Sequence, residues 1–122
     1  MKIELPLDVL VRDNGKYGVV NGRMILTKDY RQAKNAIHLL AINQWRRTAI
    51  SGPVRIDAEF FLKPGGRTAL GRKTDIANYS KILFDSLQGV CYDDDHQIVA
   101  FQFVRRETDS EPFVRLDIRS LE

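Results

Sequence analysis

The sequence predicts an α+β fold, a two-layer domain in which a mixed β-sheet packs against two main helices. Three observations carry that expectation. Several short segments alternate apolar and polar residues with the period of a strand, and two longer segments repeat apolar residues at helical spacing. The helical segments lie between the strand segments in the chain order. A length of 122 residues and a hydrophobic content of 43% suffice for one ordinary core, so a single domain over residues 1–122 is expected.

The elements follow in order. In "KIELPL" the residues Ile3, Leu5 and Leu7 share one face, which predicts a strand. "YGVVNGRMIL" carries two apolar runs around Asn21-Gly22, a strong hairpin signal. Thr27 is a suitable N-cap, and Tyr30, Ala33, Ile37, Leu40, Ala41 and Trp45 then follow helical spacing to about Arg47. "PVRIDAEFFL" sets Val54, Ile56, Ala58 and Phe60 on one strand face. A second helix is expected from about Asp75 to Leu87, with Ile76, Tyr79, Leu83 and Leu87 as its buried stripe and Gly89 near the C′ position. "IVAFQFVRRE" and "FVRLDIRS" read as two strands paired in a hairpin around "TDSEP". Trp45, Phe60 and Phe101 are assigned to the core, His38 to a helix face and His96 to a turn.

Composition excludes several classes. Cys91 is the single cysteine, so an internal disulfide is impossible, and no Cys/His cluster with zinc spacing is present. The lone thiol favours a reducing, cytoplasmic compartment. "MKIELPLDVL" lacks the continuous apolar core of a signal peptide, and no window reaches transmembrane length, so no membrane partner is expected. A net charge of +3 is by itself a weak argument for nucleic acid. Its distribution is more informative, because "KPGGRTALGRK" carries Lys63, Arg67, Arg72 and Lys73 with no acid and reads as a flexible basic loop.

That loop leads into carboxylates. Asp75 is followed on the polar face of the second helix by Asn78, Lys81, Asp85 and Gln88, and "CYDDDHQI" places Asp93, Asp94 and Asp95 in succession after the helix. Adjacent carboxylates repel unless solvated or relieved by a cation, and magnesium is held by as few as one or two carboxylates with water and phosphate. Each residue also has a plainer reading. Asp75 serves as an N-cap, Asp93 to Asp95 as a solvated turn, and Lys81 with Asp85 as a surface pair.

In combination, "DIANYSKILFDSLQGVCYDDDHQI", Asp75 to Ile98, resembles the RusA family of Holliday junction resolvases, small nucleases of phages and prophages. The family motif has an aspartate, an apolar residue, commonly a second aspartate, an asparagine, and a lysine three further on, then a helix and a turn leading to DD-x-Q-[IV]. The polar "RDNGKYG" loop, hairpin and long helix before the motif extend the resemblance weakly to nearly the whole chain. It implies a homodimer that makes paired, magnesium-dependent incisions in branched DNA, with manganese as a substitute ion and no nucleotide cofactor. By position, the resemblance implies metal ligation by Asp75, Asp94 and Asp95, catalysis by Asp75, Lys81 and Asp95, and DNA contact by Asn78. Lys63, Arg67, Arg72 and Lys73 are the backbone-binding cations that the acidic site requires.

One position departs from the motif. Ala77 stands where many members have the second aspartate, and it cannot bind a metal. A junction-binding protein that has lost cleavage is therefore the alternative, and an interaction module with solvated charges is a third reading.

Overall fold

The computed structural model describes residues 2–10, 17–20 and 23–122. It contains β1 (Lys2–Pro6), β2 (Tyr17–Val20), β3 (Arg23–Leu26), α1 (Lys28–Gln44), β4 (Val54–Leu62), α2 (Ser80–Leu87), β5 (Ile98–Glu107) and β6 (Phe113–Ser120). Short 3₁₀ turns stand at Leu7–Val9, Ile76–Tyr79 and Asp95–Gln97. The main sheet has the order β1-β6-β4-β5, and β2 pairs with β3 separately. This is the α+β architecture expected, with a mixed sheet of four strands and two helices.

Sequence periodicity explains the layers. Along β4 every second residue is buried, so Val54, Ile56, Ala58, Phe60 and Leu62 form the core face while Arg55, Asp57 and Glu59 point the other way. The core face meets Tyr30, Ile37 and Ala41 of α1 and Ile82, Leu83 and Leu87 of α2. Thr27 caps α1 as predicted, its Oγ1 accepting from the Tyr30 amide at 3.2 Å. The helix ends at Gln44, three residues before the expected Arg47, because the Trp45 backbone turns extended and buries the indole. Gln44 then bonds across to β1, donating to the Glu4 carbonyl at 2.8 Å and accepting from the Glu4 amide at 2.7 Å.

Two expectations are corrected here. The last two strands do not pair as a hairpin, since β4 lies between them, antiparallel to β6 and parallel to β5. Strands with one other strand between them are only about 10 Å apart, which the short Thr108–Pro112 connection spans with ease. The parallel β4–β5 pair needs a long crossover, and the segment containing α2 supplies it. Phe101, expected in the core, is 55% exposed. It lies on the edge strand β5, where Phe84 meets its ring edge-on at 5.1 Å but no further strand covers it.

The pairing of β2 with β3 agrees with the hairpin reading; its Asn21-Gly22 turn, and most of the "RDNGKYG" loop, lie outside the described residues. Cys91 is free and fully buried, and burial pushes its thiol pKa up to about 12. No described helix is long and apolar enough to cross a membrane.

Candidate active site

The second helix opens differently from the expected α-helical start at Asp75. Asp75 has extended backbone, its carboxylate Oδ1 accepts from the Ala77 amide at 3.1 Å, and its carbonyl accepts from the Asn78 amide at 3.1 Å. These short-range bonds wind Ile76–Tyr79 into a 3₁₀ turn before α2 begins at Ser80. The turn is anchored through Tyr79, whose buried ring stacks on Phe60 at 5.8 Å and whose hydroxyl meets Thr74 Oγ1 at 2.6 Å. Asp75 is therefore an N-cap, as its plainer reading held, and its carboxylate stays exposed with one oxygen left to offer.

What faces Asp75 decides its chemistry. It lines a cleft of about 610 Å³ with Gly65, Gly66, Lys73, Thr74, Ile76 and Arg105. The basic segment on one wall, expected to be flexible, is a hydrogen-bonded double turn: Lys63 and Arg67 exchange both backbone bonds, and Thr68 donates to the Arg72 carbonyl at 2.8 Å. Gly66 adopts a positive φ of 72° and lies beneath Arg105, so that a Cβ there would come within 2.7 Å of Arg105 Nη1. Lys73, Arg105 and the Asp75 carboxylate thus line one open cleft, a combination that suits a phosphate and a cation together.

The predicted cations divide. Lys73 lines this cleft and Arg72 a second groove. Arg67 donates to the Gly71 carbonyl at 2.8 Å and Lys63 to the Asp109 carbonyl at 3.3 Å, so both help hold the loop. Arg105 was not among the predicted residues. A signal for it existed: Phe101, Phe103 and Arg105 fall on the same alternation of β5, which turns a charge toward the helix-covered face of the sheet.

The other carboxylates stand at the far end of α2. Gln97 accepts from the Asp93 and Asp94 amides at 2.8 and 2.9 Å and donates to the Ile50 and Gly52 carbonyls. Asp94 caps the turn Asp95–Gln97 in a capping box, accepting from the His96 amide at 2.8 Å. The Asp95 amide donates to Gln88 Oε1 just past the end of α2. The backbone of the acidic run is therefore locked while its three carboxylates remain exposed.

Asp75 precedes α2 and Asp95 follows it, and eight helical residues rise about 12 Å. Among the described residues no three His, Cys, Asp or Glu side chains group closely enough to cage a metal ion. Lys81 and Asn78 are carried on α2 and its leading turn, Lys81 exposed and Asn78 half-buried. The position of Ala77 is exposed as well. Asp85 turns aside from the acidic run and accepts a hydrogen bond from the Tyr30 hydroxyl of α1.

The family model for endodeoxyribonuclease RusA matches residues 6–119. The chain belongs to the RusA family. The match spans both ends of α2, the cleft, β4, β5 and β6 up to Arg119, and of β1 only Pro6. RusA-family membership implies an endodeoxyribonuclease that resolves Holliday junctions. No curated protein sequence matches the chain.

Proposed function

We propose that this RusA-family chain is a magnesium-dependent nuclease that cuts four-way DNA junctions by paired incisions, acting as a homodimer in the cytoplasm of a bacterial or phage-infected cell. The observation that carries the reading is the cleft that Asp75 lines together with Lys73 and Arg105. Lys73 and Arg105 hold a backbone phosphate there, and Asn78 adds a polar contact beside it. Lys81, exposed on the first turn of α2, stabilises charge developing on that phosphate. Lys63, Arg67 and Arg72 extend the cationic surface that offsets the repulsion between DNA and the acidic run.

Asp75, Asp94 and Asp95 are the carboxylates proposed to hold magnesium or manganese. Their donor chemistry fits a hard ion, for all three are exposed oxygen ligands, Asp75 in the cleft and Asp94 with Asp95 beyond the far end of α2. Because α2 separates Asp75 from Asp94 and Asp95, and no three such ligands group among the described residues, each end would supply one or two carboxylates, with phosphate and water oxygens completing the coordination. When bound, the ion supplies an acidified water and neutralises phosphate charge.

The homodimer has support in β5, a ten-residue edge strand with Val99 and Phe101 exposed. Antiparallel pairing of two such edges about Ala100 would join residues 98–102 of each copy and bring the exposed Val99 of one against the exposed Phe101 of the other. Phe101→Glu is expected to yield a monomer in analytical ultracentrifugation; an unchanged dimer would place the interface elsewhere.

The deciding experiment is incision of an end-labelled four-way junction by the purified protein, with and without magnesium. Magnesium-dependent nicks in opposed strands are expected. Ala77 favours one second reading, junction binding without cleavage, and that protein would shift the junction in a gel yet leave it intact.

A further inference from the structure

We propose that Leu70 is a wedge that enters the opened branch point of the junction and gives the protein its preference for branched over linear DNA. The inference rests on the junction reading above and adds the residue that discriminates. Leu70 is 84% exposed, more than any other large apolar side chain exposed among the described residues. A leucine so exposed gains nothing from the solvent around it, and its surroundings are not those of a frayed loop. The Thr68 amide donates to the Arg72 carbonyl at 2.8 Å, the Gly71 amide to the Thr68 carbonyl at 2.9 Å, and the Arg72 amide to Thr68 Oγ1 at 3.3 Å. Gly71 supplies the positive φ of 79° that closes the turn, and Arg67 braces it by its bond to the Gly71 carbonyl. Leu70 is thus held out on a braced tip.

The charge around the tip selects the occupant. From Lys63 to Lys73 the chain has four cations and no acid, and Arg67, Arg72 and Lys73 are all exposed beside Leu70. An apolar tip on a segment of exposed cations matches a polyanion whose apolar base faces are accessible at one point. Leucine is among the side chains that enter DNA by separating stacked bases, and in a duplex that separation costs a few kcal/mol per step. At a four-way branch point the stack is already interrupted, so the same insertion is favoured there and penalised in linear DNA. Phosphate contacts from the neighbouring cations hold either substrate and do not discriminate. The tip also borders a groove of about 640 Å³ lined by Leu7, Leu10, Tyr79 and Pro112. A purely structural role would have Leu70 close over that groove, and the test separates the two.

The test compares the parent, Leu70→Ala and Leu70→Phe, with calcium replacing magnesium. It uses a four-way junction carrying 2-aminopurine at the branch and a linear duplex of the same arms. Leu70→Ala is expected to bind the junction about tenfold more weakly, to bind the duplex within about twofold of the parent, and to lose the rise in 2-aminopurine fluorescence. Leu70→Phe should restore both, and neither variant should change the melting temperature. Equal loss on both DNAs, no loss on either, or a lowered melting temperature that tracks the binding loss would overturn the wedge. If the parent itself shows no preference for the junction, the junction reading fails and the wedge with it; if only the leucine variants behave like the parent, the wedge alone falls.

Discussion

The outer face of the sheet and the cleft before α2 are both rich in charge, yet they treat it in opposite ways. On the outer face the charges satisfy one another. Asp57 accepts from Arg55 at 2.9 Å and from Arg119 at 2.7 Å, Glu4 from Arg115 at 2.8 Å, and Glu59 from Arg106 at 3.2 Å. In the cleft, Asp75, Lys73 and Arg105 share one space, and among the described residues no ion pair joins them. Charge that is internally matched contributes to the fold, whereas charge gathered in a concave space without mutual pairing is available to a ligand. The most damaging substitution for function should therefore lie in the cleft, and the outer face should tolerate loss of charge.

Asp75→Asn tests the largest difference. Asparagine caps a helix start as well as aspartate, so the 3₁₀ turn should form and the melting temperature should be retained. Cleavage of the junction should fall by at least about 100-fold, because a ligand charge is lost, while junction binding stays equal or tightens as repulsion of the backbone is relieved. Parental cleavage by this variant would remove Asp75 from the site.

Lys73→Ala with Arg105→Ala comes next. If each side chain holds one phosphate, binding to every DNA should weaken and the slope of log affinity against log salt should shrink by about two. Arg55→Ala with Arg119→Ala removes the same charge from the outer face and should leave that slope at its parental value. Equal slopes for the two double variants would erase the contrast between the regions.

The sequence exposed these regions unequally, for physical reasons. The polar spacing of Asp75, Asn78 and Lys81 drew attention to Asp75, which lines the cleft, because those residues are neighbours in the chain. Arg105 lines the same cleft, brought there by the parallel pairing of β4 with β5, and no local pattern specifies which strands are adjacent. The mistaken β5–β6 hairpin has the same origin, since a short polar connection between antiparallel strands reads alike whether they touch or have a third between them. Phe101 was misplaced because its apolar character says nothing of whether its strand is central or at an edge. Local signals succeeded wherever the partner was local: the Thr27 cap, the alternation of β4 and the Gly89 turn all stand as read.

Ala77→Asp sharpens the comparison from the other side by adding charge to the cleft region. Position 77 is exposed on the 3₁₀ turn, and its amide already bonds the Asp75 carboxylate, so a second carboxylate there needs no repacking. The expected result is a several-fold lower magnesium requirement for cleavage, or cleavage gained, measured by titrating the ion at fixed enzyme and junction. An unchanged titration would mean that the side chain at 77 points away from the ion.

The smallest effect is expected at Asp57, where the charge is already matched. The Arg55 guanidinium, hydrogen-bonded to Asp57, draws its carboxyl pKa below the usual value; burial opposes this, and Arg119 adds to the lowering. A carboxylate whose folded pKa lies below its unfolded one stabilises the fold at pH above the unfolded value near 4, and that contribution drains away as pH falls through the lower folded pKa. Asp57→Asn should accordingly lower the melting temperature at neutral pH by no more than about 4 °C, a limit set by the solvent exposure of its partners. Parent and variant should converge as the pH is taken through and below that lowered folded pKa, while DNA binding at neutral pH remains parental. A deficit that persists at low pH would mean that the variant disturbs packing, and a loss of DNA binding would show that the outer face, too, reaches the substrate.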